Sequence, residues 1–126
     1  MHKDEALVKL CSTLLQEVEL LPGWTKLIAA GKVKPEGGAS MFTYSFDLQG
    51  EWQASGPDLN TLDVLESLCQ RMAAESPTGR PWKACLLRIG RNGEVGADFE
   101  YDDAERWAIN PRNLAQRIAE FAAMPV

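Results

Sequence analysis

Asn92-Gly93 lies between two runs of strand-like residues, Trp82 to Ile89 and Glu94 to Tyr101. A two-residue asparagine–glycine connection is the strongest short hairpin signal, because both turn residues are asked to reach positive φ. Strands joined so tightly must pair antiparallel. On the second run Val95, Ala97, Phe99 and Tyr101 share one face, while Gly96, Asp98 and Glu100 share the other. A second strand signal comes earlier. Phe42, Tyr44, Phe46 and Leu48 alternate with Met41, Thr43, Ser45 and Asp47, the period of a half-buried strand. Gln49-Gly50 turns the chain, and Glu51 to Ala54 reads as a short returning strand.

Helical periodicity frames these strands. Leu7, Leu10, Leu14 and Val18, with Cys11 beside them, predict a helix from Asp4 to Leu20, stopped by Pro22-Gly23. Leu62, Leu65, Leu68, Cys69 and Met72 predict a second from Asn60 to Ala74, with Asn60 as its N-cap. A third is expected to start at Asn110-Pro111, with Leu114, Ile118 and Phe121 facing inward. Trp24 to Val33 is ambiguous: Ala29 and Ala30 lean to helix, yet the run also suits a strand leading into the Pro35-Glu36-Gly37-Gly38 turn.

The expected fold is therefore a two-layer α+β domain in the order α-β-β-α-β-β-α. An antiparallel sheet of about four to five strands packs against helices, with polar side chains on its other face. The 126 residues fit this single domain, 1–126, without repeat or linker. Hydrophobic content of 45% and charged content of 25% exclude wholesale disorder.

Charge and residue usage restrict function. The net charge of −5 and pI of about 4.9 disfavour direct binding of nucleic acid or anionic membrane. No apolar run approaches a membrane span, and the start Met1-His2-Lys3-Asp4-Glu5 lacks a signal-peptide pattern. A cytoplasmic protein is expected. Cys11, Cys69 and Cys85 form no CxxC pair and suit buried, inert thiols. His2, the only histidine, would have to serve any Ser-His-Asp, Cys-His or zinc arrangement. No cofactor and no metal are expected.

The sharpest local feature is Asp98, Glu100, Asp102, Asp103 and Glu105, five carboxylates at a strand end and the loop after it. A solvated strand edge that resists edge pairing explains them. A surface for a basic protein is the next reading. An acid/base pair or metal site comes behind it, since the spacing lacks the ligand pattern of a calcium loop. The four tryptophans, Trp24, Trp52, Trp82 and Trp107, each suit a core or half-buried place first; Trp52 and Trp107, near polar turns, are the candidates for exposed anchors. Gly90 to Gly96 is glycine-rich, but no helix follows it to face a phosphate. Arg80, Lys83, Arg88 and Arg91 offset the acidic neighbours.

The order of several motifs is similar to the YezG-like family of immunity proteins. They are Trp24, the Ala30-Gly31-Lys32-Val33 run, Pro35-Glu36-Gly37-Gly38-Ala39-Ser40, and the aromatic strand ending in Phe46 and Gly50. They continue with Pro81-Trp82-Lys83, Leu86-Leu87-Arg88-Ile89, Asn92-Gly93, and Asp98 to Asp103. The resemblance spans Leu14 to Asp103; Gln49 to Asn60 and the tail from Trp107 to Val126 depart from it. It implies a strand at Trp24 to Lys34. It also implies an antitoxin that neutralises a cognate bacterial toxin domain, with a nuclease as the expected target and no enzymatic activity of its own.

On this reading Asp98, Glu100, Asp102, Asp103 and Glu105 would mimic a polyanion in a basic active site, with Trp107 and Trp52 as anchors. Charge reversal at Asp98 and Glu100 should then weaken binding more than reversal at Glu17 or Glu19. The chain itself would be a monomer or homodimer. A general interaction adaptor and a small carboxylate-based enzyme are the rival readings.

Overall fold

The computed structural model describes residues 3–126; His2 lies outside the described residues. Three helices and five strands follow in the order α1 (Lys3–Glu17), β1 (Lys26–Val33), β2 (Ala39–Phe46), β3 (Trp52–Ser55), α2 (Leu59–Glu75), β4 (Ala84–Gly90), β5 (Val95–Glu100) and α3 (Leu114–Ala123). The fold is α+β, and every strand pair in its one sheet is antiparallel. The order carries one strand more than the expected string, β3. The ambiguous segment after Trp24 is a strand, and a central one: the sheet runs β3-β2-β1-β4-β5.

Three hairpins turn with one geometry. In the β4–β5 turn Gly93 N donates to Gly90 O at 2.9 Å and Gly90 N to Glu94 O at 2.8 Å. Only Gly93 has positive φ (95°); Asn92 does not. The connection is thus a three-residue loop, a type I turn closed by a left-handed glycine, and not the two-residue turn expected from Asn92-Gly93. Asn92 instead accepts the Glu94 N–H on Oδ1 at 3.0 Å. Gly37 and Gly50 close the β1–β2 and β2–β3 turns in the same way.

α1 and α2 cover one sheet face. Leu10 and Leu14 meet Leu65, Leu68 and Cys69 over Leu27, Ala29, Met41, Cys85, Leu87 and Ile89. Gly31 sits close beneath them: a Cβ would stand 3.0 Å from the Leu65 side chain and 3.1 Å from Met41, so each would have to give by a few tenths of an ångström. Thr43 and Ser45, expected on a solvent face, are buried on this one. Their hydroxyls are satisfied, Thr43 by the Ser55 carbonyl at 2.9 Å and Ser45 by the Leu21 N–H at 2.9 Å.

The other sheet face is not polar, which corrects the two-layer expectation. Ile28, Ala30, Tyr44, Phe46, Ala84 and Leu86 form a second apolar layer beneath Trp107, Phe121, Leu114 and Ile118. The C-terminal segment is therefore a third layer. Lys26 fastens it: its ammonium donates to the carbonyls of Phe121 (2.6 Å), Ala122 (2.8 Å) and Met124 (2.7 Å), where α3 ends. α3 itself begins at Leu114, later than Asn110. Asn110 and Asn113 lock a preceding turn through each other's side chains, Asn110 N to Asn113 Oδ1 at 2.8 Å and Asn113 N to Asn110 Oδ1 at 3.0 Å.

Candidate functional site

The acidic run begins on β5, whose alternation sends Asp98 and Glu100 to the α3 side of the sheet. Each carboxylate then finds work inside the molecule. Glu100 accepts the N–H groups of Asp102 (3.0 Å) and Asp103 (3.2 Å) and pairs with Arg106 at 3.1 Å. Its side chain is 17% exposed. The two backbone bonds hold its pKa below the usual glutamate value, with Arg106 adding to them. Glu100 therefore shapes the loop that follows it. Asp103 accepts Glu105 N at 2.9 Å. Asp98 pairs with Arg88 at 3.3 Å, Asp102 with Arg80, and Glu105 with Lys32 at 2.9 Å. The run is brought together, but arginines and a lysine neutralise much of it.

The two anchor candidates separate. Trp107 is 7% exposed and belongs to the second apolar layer, with the Arg106 guanidinium 4.9 Å over its ring. It is not an exposed anchor, because the sheet beneath it is apolar and the ring seals that layer. Trp52 is 43% exposed on β3, its ring edge-on to Tyr44 with centroids 5.7 Å apart. Phe42, 50% exposed, shares the same face of neighbouring β2. It forms one wall of a groove of about 280 Å³, faced by Trp107, Ile109 and Glu105. These rings are left in water although the layer beside them is closed, and exposed aromatics of this kind are typical binding anchors.

Around them lies a charge pattern that the acidic run had overshadowed. From Pro35 through Gln70 no lysine or arginine occurs, against the carboxylates Glu36, Asp47, Glu51, Asp58, Asp63 and Glu66. That stretch is β2, β3 and most of α2. The fold adds Glu19, whose N–H donates to Ser55 Oγ at 3.0 Å. Asp47, Glu51 and Asp58 of this stretch flank β3, while β1 brings Lys26 to 5.2 Å over the Phe46 ring and Lys32 into the groove that Phe42 lines. A residue-by-residue count of cations would have found the stretch in the sequence; a search for clustered acids does not.

The remaining reactive groups are withdrawn. Burial pushes the Cys85 thiol up to about 12 and the Cys11 thiol up to about 11, and raises that of Cys69. At neutral pH these are packed thiols without nucleophilic thiolate. Among the described residues no group of three or more His, Cys, Asp and Glu is placed to hold a metal ion. Among the described residues no helix is long and apolar enough to cross a membrane.

Glu17, which the sequence offers as a neutral site for charge reversal, is structural. It accepts hydrogen bonds at the start of α2 from Asp58 N (3.2 Å), Thr61 N (3.3 Å) and the Thr61 hydroxyl. Reversal at Glu17 or Glu100 would disturb the fold, so neither reports on binding alone.

No protein-family model matches the chain, and no curated protein matches it in sequence.

Proposed function

We propose that this chain is a cytoplasmic immunity protein that binds a bacterial toxin domain, a nuclease being the expected target, and keeps its substrate out. The observation that carries the reading is the pair of half-exposed aromatics, Phe42 and Trp52, set in a carboxylate-rich stretch without a single cation. A nuclease must present a basic surface to hold phosphate. An acidic patch meets that surface with complementary fields, which steer association, and aromatic anchors supply the short-range hold. The resemblance of Leu14 to Asp103 to the YezG-like family supports the same reading. Asp98, Asp103 and Glu105 extend the acidic rim; Glu100 and Trp107 contribute by shaping it.

The test is capture from the native cells with the tagged protein, with the double variant Trp52→Ala, Glu51→Lys beside it. The captured partner's activity is then assayed with and without added protein. The expected outcome is one near-stoichiometric partner, blocked by the wild type and at least about tenfold less well by the variant. A collection of weak partners, or a single partner whose activity is unaffected, overturns the reading.

A further inference from the structure

We propose that β3 is a docking edge for one extended, basic strand of the partner protein, added in the plane of the sheet; this rests on the partner-binding reading above. The backbone argument comes first. Asp47 N donates to Glu51 O at 3.1 Å, which marks 47 and 51 as a hydrogen-bonded pair. Antiparallel alternation then makes Ser45/Gln53 and Thr43/Ser55 the bonded pairs of the β2–β3 ladder. The N–H and C=O groups of Trp52 and Ala54 consequently point away from β2, toward open solvent. Ala54 is exposed, and β3 is the terminal strand of the sheet, with no further strand beyond it among the described residues.

The two edges of the sheet are also guarded differently. β5 carries Asp98 and Glu100, charges of the kind that discourage edge pairing. β3, Trp-Gln-Ala-Ser, holds no charge, no proline and no glycine. Its discrimination lies at its ends, where Asp47 and Glu51 precede it, Glu19 bonds Ser55 through its N–H, and Asp58 follows three residues on. An incoming strand must therefore be cationic at its flanks. Trp52, half-exposed on β3 itself, offers it an apolar contact on one face, so alternate residues should be apolar.

The probe is an alternating lysine–valine peptide, with its glutamate–valine counterpart as control, added to the full-length ¹⁵N-labelled protein. The expected result is slowed exchange of the Trp52 and Ala54 amides with the basic peptide only. Ala54→Pro removes an outward N–H while sparing the 43/55 and 45/53 pairs, and should weaken the peptide at least about tenfold. The double variant Glu51→Lys, Asp58→Lys keeps the backbone intact, so it decides the matter if Ala54→Pro does not fold; it should reverse the preference between the peptides. Equal binding of both peptides, or binding that leaves those two amides unprotected, overturns the docking edge. No binding at millimolar basic peptide overturns it too. If the wild type still blocks its captured partner in that case, only the docking mode falls. If the peptide docks as expected while no partner is blocked, the immunity reading falls and the edge stands.

Discussion

Glu17 does for α2 what no residue of α2 does for itself. The N-cap position, Asp58, makes no side-chain capping bond. The carboxylate of Glu17, reaching across from the end of α1, takes those amide hydrogens, and Asn60 Nδ2 adds a further bond at 3.2 Å. Its pKa is lowered, first by the Thr61 hydroxyl. A depressed folded-state pKa means that the ionised form stabilises the fold above the usual glutamate value of 4.5, and that this contribution fades as pH falls through the lower folded value. Glu17→Ala should therefore melt below the wild type at pH 7. The gap should narrow as acid melts are taken below pH 4.5; a gap constant with pH would refute the cap. None of this is legible in the sequence. Glu17 and Thr61 are 44 residues apart, and Asn60 carries the outward signature of a cap. The same limit hides the role of Lys26, whose partners are the carbonyls of Phe121, Ala122 and Met124, brought to it only once the chain has folded.

At the scale of elements, the amphipathic helices and the strand alternation of β2 and β5 are readable because their periods are local. The second apolar layer is written in the sequence in a weaker form. Ile28-Ala29-Ala30 and Cys85-Leu86-Leu87 are unbroken apolar runs, the mark of strands buried on both faces. Alternation in β2 suggests one buried face only because Thr43 and Ser45 are small enough to be buried with their hydroxyls bonded. α3 shows its stripe plainly, yet periodicity cannot say which surface receives it. The structure seats Phe121, fully buried, against Tyr44 with ring centroids 6.1 Å apart. Phe121→Ala should cost about 3–5 kcal/mol in chemical denaturation, as a large ring lost from a packed core does. The expected companion is faster amide exchange across Leu114–Ala123. A loss under about 1 kcal/mol would mean that this layer is not closed in solution.

Taken as a whole, the chain separates its charges along the sequence, and the fold returns Lys26 and Lys32 of β1 to the face that carries Phe46 and Phe42. Pro35 through Gln70 holds only carboxylates, and in the remainder cations and carboxylates nearly balance. Adjacency in sequence points to Asp98 to Glu105 as the acidic site; Lys32, Arg80 and Arg88 arrive from elsewhere in the chain to neutralise it, with Arg106 from the same loop. A separated field acts over roughly 10 Å at 0.1 M salt. Association with the captured partner should therefore slow steeply as salt rises, with dissociation little changed. The Glu51→Lys, Asp58→Lys variant should flatten that dependence in surface-plasmon kinetics. An unchanged slope would place the steering charges elsewhere.

The place of β1 in the sheet has a consequence for how the chain is born. β1 pairs with β2 through a turn of a few residues, but its other neighbour, β4, lies beyond β3 and α2. During synthesis from the N-terminus, α1 through α2 emerge while that flank of β1 has no mate. Ile28 and Ala30 wait longer still, until Trp107 and Phe121 arrive. For as long as the ribosome takes to deliver the last third, the nascent protein presents an unmatched inner strand, with the Asn92-Gly93 hairpin as the piece that finally closes it.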